Sequence, residues 1–359
     1  MPLPARYADW SQRLAEVIPS RFESLADFDT YQSTPTQAVL NALEKITGPL
    51  LVLGAGGKMG PTICQMACRA KILTQGLFEV IAVSRFSDVA VEQSLIDLGC
   101  NTVAIDLLCE QALQTLPDCE NIIYLVGQKF GGQQDIDMMW KLNATLPQQI
   151  VNRFPKARFS VLSTGNVYPF VPAVTGGPLP ATSVAPLGDY ANSCVARERV
   201  FMDAATVGGT QSAILRLNYA NELRYGVLTD IARKVWSGDR VDVTMGAVNV
   251  LWQGDACAWA LAALDLAAAP ARVLNLAGPE LIGIRALAMW FASRFDKPCL
   301  LLGKESSTSL LSNASETHAL FGYPRVPLFS MMEMVASWTE QQGQTHGKAT
   351  HFEVRDGKF

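Results

Sequence analysis

The chain has 359 residues, 49% of them hydrophobic and 17% charged, so it can bury a sizeable core and disorder is not expected. Its formal net charge of −4 gives no electrostatic reason to expect nucleic acid or an anionic membrane as a partner. Eight cysteines are scattered without a C-x-x-C pair and the three histidines come late, so reduced core thiols are expected and no metal site.

The first ten residues contain no apolar core of a secretory leader. The apolar stretch from Ala256 to Ala269 is interrupted by Asp265 and closed by Pro270, too short to span a bilayer. A cytoplasmic protein is the expectation. Residues 1–48 read as a helical extension, with Trp10, Leu14, Val17 and Ile18 at helical spacing and a second stretch from Thr36 to Ile46.

From residue 49 the rhythm is strand, helix, strand. Apolar runs predict strands at 50–54, 79–84, 102–106, 121–126, 158–163 and 212–217. Helices are expected at 59–73, 88–98, 109–115, 134–152 and 189–206. Such alternation implies a Rossmann-like, doubly wound parallel sheet at 49–220. Residues 221–359 form mainly a smaller α/β substrate lobe and closing tail, with a strand and helix near 248–268 available to return to the first domain.

The first strand breaks into a glycine-rich loop, Gly54-Ala55-Gly56-Gly57-Lys58-Met59-Gly60, ahead of a helix. Backbone without Cβ atoms turns sharply and lets a pyrophosphate approach the helix N-terminus, so Gly54, Gly57, Lys58, Met59 and Gly60 read as a dinucleotide cradle. The second strand ends in Ser84-Arg85 where an NAD site has a carboxylate. A small polar residue followed by Arg suits a 2′-phosphate and points to NADP over NAD. Asp88 reads as the start of the next helix. Asp106-Leu107 and Val126-Gly127 end the third and fourth strands at the cofactor edge, and Lys129 follows just beyond.

The fifth strand leads into Ser163-Thr164-Gly165-Asn166-Val167-Tyr168, and Tyr190 lies in a helix about twenty residues on. The ordered set of GxxGxxG, Asp-Leu, Asn143 in a helix, Ser-Thr-x-x-Val-Tyr and the Tyr190 helix resembles the extended short-chain dehydrogenase/reductases. More narrowly, it resembles the NAD-dependent sugar epimerase/dehydratase family over residues 49–296. The resemblance implies NAD(P), a sugar-like small-molecule substrate and a homodimer. It gives Thr164 the role of orienting a substrate oxygen, Tyr190 that of general acid/base, and Asn143 an architectural or water-relay role. A hydroxyl pair of this kind moves a proton while hydride passes to or from nicotinamide.

One position departs from the family. Four residues after the tyrosine the family has lysine, and this chain has Cys194. A free phenol titrates near pH ~10 and an adjacent cation pulls that down, which a neutral thiol does not do. Three readings stand: another cation substitutes, Lys129 before Lys58; the oxidised nicotinamide ring supplies the field; or the chain is a non-catalytic NAD(P)-binding regulator or sensor. Asn166, Tyr168, Asn218, Tyr219, Arg224 and Lys129 fall at the same sheet edge and are the expected substrate contacts. The polar, aromatic tail from Thr345 to Glu353 either closes over the site, lies at a subunit interface or frays.

Overall fold

A computed structural model describes residues 18–128 and 136–358. The apolar runs become β1 (Leu50–Leu53), β2 (Val80–Ser84), β3 (Asn101–Ala104), β4 (Asn121–Tyr124), β5 (Arg158–Thr164) and β6 (Gln211–Leu217). Beyond them come the two-residue strands β7 (Ala220–Asn221), β8 (Val241–Asp242), β9 (Ala247–Val248) and β10 (Leu251–Trp252), and then β11 (Arg272–Leu276). The main sheet has seven strands in the order β11-β6-β5-β4-β1-β2-β3. All its pairings are parallel. The chain reverses direction across the sheet between β1 and β4, and a doubly wound sheet opens its ligand crevice at that switch point.

β1 and β4 are buried along their whole length, as central strands covered by helices on both faces must be. One core lies between the sheet and the helices Gly60–Thr74 and Gln253–Ala262. A second, on the opposite face, joins Leu51, Tyr124 and Phe159 to Ile150 and Phe201. A third forms the smaller lobe around the helices Val227–Ser237, Ile284–Phe295 and Leu328–Glu340. The stretch 248–252 does not add to the main sheet. It divides between β9 and β10, which pair with other two-residue strands. Between them the Asn249 amide donates to the carbonyls of Gly278 and Ser312, turning the chain away. The strand that returns to the sheet is β11, paired in register with β6.

In the described part of the N-terminal extension, Phe28 and Tyr31 of helix Leu25–Gln32 pack on Trp252 in the smaller lobe. Val39 and Leu43 of helix Gln37–Leu43 enter the first core. The extension therefore bridges the two units. The residues Trp10, Leu14 and Val17 lie outside the described residues. No helix among the described residues is long and apolar enough to cross a membrane.

Candidate active site

An open cleft of about 380 Å³ lies at the carboxyl ends of β1 to β4. Gly54, Ser84, Arg85, Asp106, Val126 and Gly127 are among the residues lining it. Gly54 has φ +90°, and a Cβ there would stand 3.1 Å from Val126 N, so the loop leaves β1 pressed against the end of β4. Gly56, which the GxxGxxG spacing passes over, also lines the cleft, and a Cβ on it would come within 2.6 Å of Ser84 Oγ. Gly60 faces inward instead, its Cβ position filled by the Ala55 backbone. The helix it opens has no side-chain cap, so first-turn N–H groups are left to an anion. These features fit a dinucleotide. Asp88 caps the helix Val89–Asp97 by accepting from Ala90 N at 3.0 Å while also bordering the cleft.

A second cavity of about 210 Å³ lies on the other side of the glycine loop, lined by Lys58, Met59, Thr164, Asn166, Asn218 and Tyr219 among others. Lys58 Nζ rests 2.9 Å from the centre of the Tyr225 ring on this wall rather than in the nucleotide cleft. Tyr219 holds a left-handed backbone at φ 45°, a conformation costly for a non-glycine residue and frequent at functional sites.

Thr164 ends β5, and its Oγ1 accepts from Asn166 N at 3.2 Å. Tyr190, in the first turn of the helix Gly188–Gly208, shares hydrogen bonds with the Thr164 hydroxyl and the Cys194 thiol. Burial pushes the phenol well above its ordinary range, and Cys194 adds to that. Arg197 and Thr164 pull it back.

Arg197 was not among the residues singled out from sequence. It is 4% exposed, three residues past Cys194 and seven past Tyr190, on the same helix face. Its Nη2 donates to Cys194 Sγ at 3.0 Å and its Nη1 to Val126 O at 2.9 Å. Burial opposes its charge, but Cys194, Tyr190, Tyr124 and Glu198 outweigh that and hold the guanidinium above its ordinary value. Gly127 lets it come close, since a Cβ there would stand 2.7 Å from Arg197 Nη1 and displace it. The signal for it in the sequence is its spacing, two helical turns past Tyr190.

Asn143 sits in a π-helical turn, Lys141–Thr145, between the helices Ile136–Trp140 and Leu146–Arg153. Its amide bonds both backbone groups of Gln128 at 3.0 Å and donates to Ser193 Oγ at 2.9 Å, tying the β4 loop to the Tyr190 helix. Three other expected site residues are drawn into the framework. The Tyr168 hydroxyl donates to Asn275 Oδ1 at 2.7 Å and accepts from Arg216, and its pKa is raised by burial. Asn218 donates to Asn249 at 2.9 Å, although it borders the second cavity. Arg224 is away from both cavities, paired with Glu222 and Asp29. Lys129 lies outside the described residues. Among the described residues no cluster of His, Cys, Asp and Glu is arranged to hold a metal ion.

No family model and no curated protein matches the chain. Solved structures do. UDP-glucuronic acid 4-epimerase from Bacillus cereus, in complex with NAD, superposes with TM-score 0.68 at 17% identity, covering 82% of this chain and 99% of that one. dTDP-glucose 4,6-dehydratase from Bacillus anthracis, in complex with NAD, gives TM-score 0.69 at 14% identity over 82% and 97%. UDP-glucose 4-epimerase from Thermotoga maritima, with UDP-glucose, gives 0.64 at 15% over 82% and 99%. The chain thus has the Rossmann-like fold of these three enzymes, spanning nearly their whole length.

Proposed function

We propose that this protein is an NAD(P)-dependent enzyme moving hydride to or from a hydroxyl or carbonyl carbon of a sugar, sugar acid or nucleotide sugar, as an oxidoreductase or epimerase. The observation that carries this is the Thr164–Tyr190 hydroxyl pair, with Thr164 lining the second cavity and Arg197 buried on the helix that carries Tyr190. The three enzymes that share the fold support the same reading.

The nicotinamide ring, when bound, supplies or accepts the hydride. The rest falls to this chain. Gly54, Gly56 and Gly57 give a pyrophosphate access to backbone amides. Thr164 orients the reacting oxygen. Tyr190, whose raised pKa keeps it protonated at neutral pH, donates its Oη proton to a carbonyl oxygen as that carbon is reduced. The tyrosinate left behind faces Arg197 and the Thr164 hydroxyl, both of which favour the anion. In the reverse direction Tyr190 takes the carbinol proton only in its deprotonated form, which burial disfavours and Arg197 and the Thr164 hydroxyl favour. A non-catalytic reading rests on the missing cation at 194, and Arg197, buried three residues further on, supports the enzyme reading instead.

Arg85, exposed on the cleft wall beside Ser84, favours NADP over NAD. A homodimer in the cytoplasm is the proposed setting. The decisive test is Tyr190→Phe: turnover of an identified substrate should fall by about 10²–10⁴-fold while NAD(P) binding persists. Unchanged turnover refutes the mechanism.

A further inference from the structure

The segment 344–358 is a built wall of the substrate cavity. Thr350 lines the second cavity, and both its N–H and its hydroxyl donate to Asp230 Oδ2, at 2.7 and 2.6 Å. Phe352 is 2% exposed and belongs to the core of the smaller lobe. Arg355 donates to Thr308 O and Thr308 Oγ1, each at 2.7 Å, and lies over the Phe170 ring. At the far end Gly357 presses on Gly188, the first residue of the Tyr190 helix, and neither position has room for a Cβ.

This segment fills the groove that continues from Asn166 and Tyr219 toward Phe170 and Leu187. Where His351, Phe352, Val354 and Gly357 lie in it, about 30 Å³ is left. The open space is the 210 Å³ beside Thr164, which also has to admit the ring end of the cofactor for hydride to reach the Tyr190 site. Pockets for drug-sized ligands run to about 300–1,000 Å³. Among the described residues lining this cavity the one charged side chain is Lys58; the other polar groups are amides and hydroxyls. A diphosphate is held by several charge-assisted donors, whereas one ammonium among amides and hydroxyls suits a single carboxylate on a polyol.

We infer that the substrate is a small free sugar acid or hydroxy acid, its carboxylate toward Lys58, and that residues 344–358 exclude nucleotide-linked sugars. This rests on the proposed function and narrows its substrate class.

The test uses the full chain saturated with NAD or NADP. Thermal shift and calorimetric titration are run with glucuronate, gluconate, UDP-glucuronate and UDP-glucose. The expected result is stabilisation by a free acid, at least tenfold weaker binding of that acid in Lys58→Met, and none by the nucleotide sugars. Hydrogen exchange in 344–358 should stay as slow with the acid as without it. Stabilisation by a nucleotide sugar, or faster exchange in 344–358 when one is added, overturns the inference and makes the segment a lid that opens. Arg355→Ala, which loosens the segment without touching Phe352, should admit UDP-glucuronate at least tenfold more tightly; unchanged exclusion there contradicts the wall. If neither NAD nor NADP shifts the melting temperature, the proposed function itself fails, whatever the sugars do.

Discussion

Two buried arginines, one within the helix Gly188–Gly208 and one on the strand beside it, are treated in opposite ways. Arg216 of β6 meets Glu198 in a two-pronged ion pair, with Nη2 at 2.7 Å from Oε2 and side chains 5% and 3% exposed. Ser163 donates to the same carboxylate at 2.6 Å, and Arg216 donates to Tyr168 at 2.8 Å. Arg197, the neighbour of Glu198 in sequence, meets no carboxylate within ion-pair distance among the described residues. It donates to a thiol and a carbonyl, and its Nε has no partner. The first charge is neutralised and fastens the helix to β5, β6 and the Tyr168 loop. The second has no ion-pair partner among the described residues, and its charge acts on Tyr190. Burying a charge carries a desolvation cost of several kcal/mol, which the groups around Arg197 outweigh.

Breaking the saturated pair should produce the largest change in stability. Glu198→Gln strands the Arg216 guanidinium in the core and should cost about 3–5 kcal/mol in urea denaturation. Next comes Cys194→Lys, which would restore the family pattern while placing a second buried cation against Arg197. A loss of roughly 2–4 kcal/mol is expected, with activity lowered rather than gained. A large rise in activity would show that Arg197 does not replace the lysine. By contrast, Arg197→Met removes a charge that has no ion-pair partner among the described residues, at similar volume, and its effect on folding should stay within about 1 kcal/mol.

Smaller effects follow from pH. Burial raises the Tyr190 phenol, so the folded state holds that proton more tightly than the unfolded chain. Its contribution to stability is complete below about pH 10 and is lost as pH rises toward the folded value. Tyr190→Phe should therefore blunt the alkaline loss of stability. His318 carries the opposite sign. Burial lowers its pKa, so stability is complete above about pH 6.5 and falls as pH drops toward the folded value. His318→Gln should flatten that acid limb in thermal melts, and an unchanged limb would assign it elsewhere.

The fold was largely legible because its signals are local. Six strands are apolar runs of strand length bounded by turn residues, and the glycine loop is a tight cluster of one residue type after the first. What the sequence left open was long-range. Val273–Leu276 reads as a strand, but nothing local says that it completes the main sheet beside β6. Tyr168 follows the Thr164 motif closely, yet its hydroxyl is taken by Asn275, 107 residues away. Arg224 stands near the site in sequence but is claimed by Glu222 and by Asp29 of the N-terminal extension. Arg197 stands two turns past Tyr190 on the same helix face, beyond the one-turn spacing at which Cys194 sits, so a motif of that spacing does not point to it.

The role proposed for Arg197 is to offset part of the burial that raises the Tyr190 phenol. The pH dependence of kcat, compared between the native chain and Arg197→Met, tests it most directly. In the direction that oxidises a carbinol, the account predicts that Arg197→Met lowers kcat at neutral pH by roughly 10–10³-fold. It also predicts an alkaline shift of the activity limb and partial rescue by Arg197→Lys. A profile for Arg197→Met that overlays the native one would contradict the account.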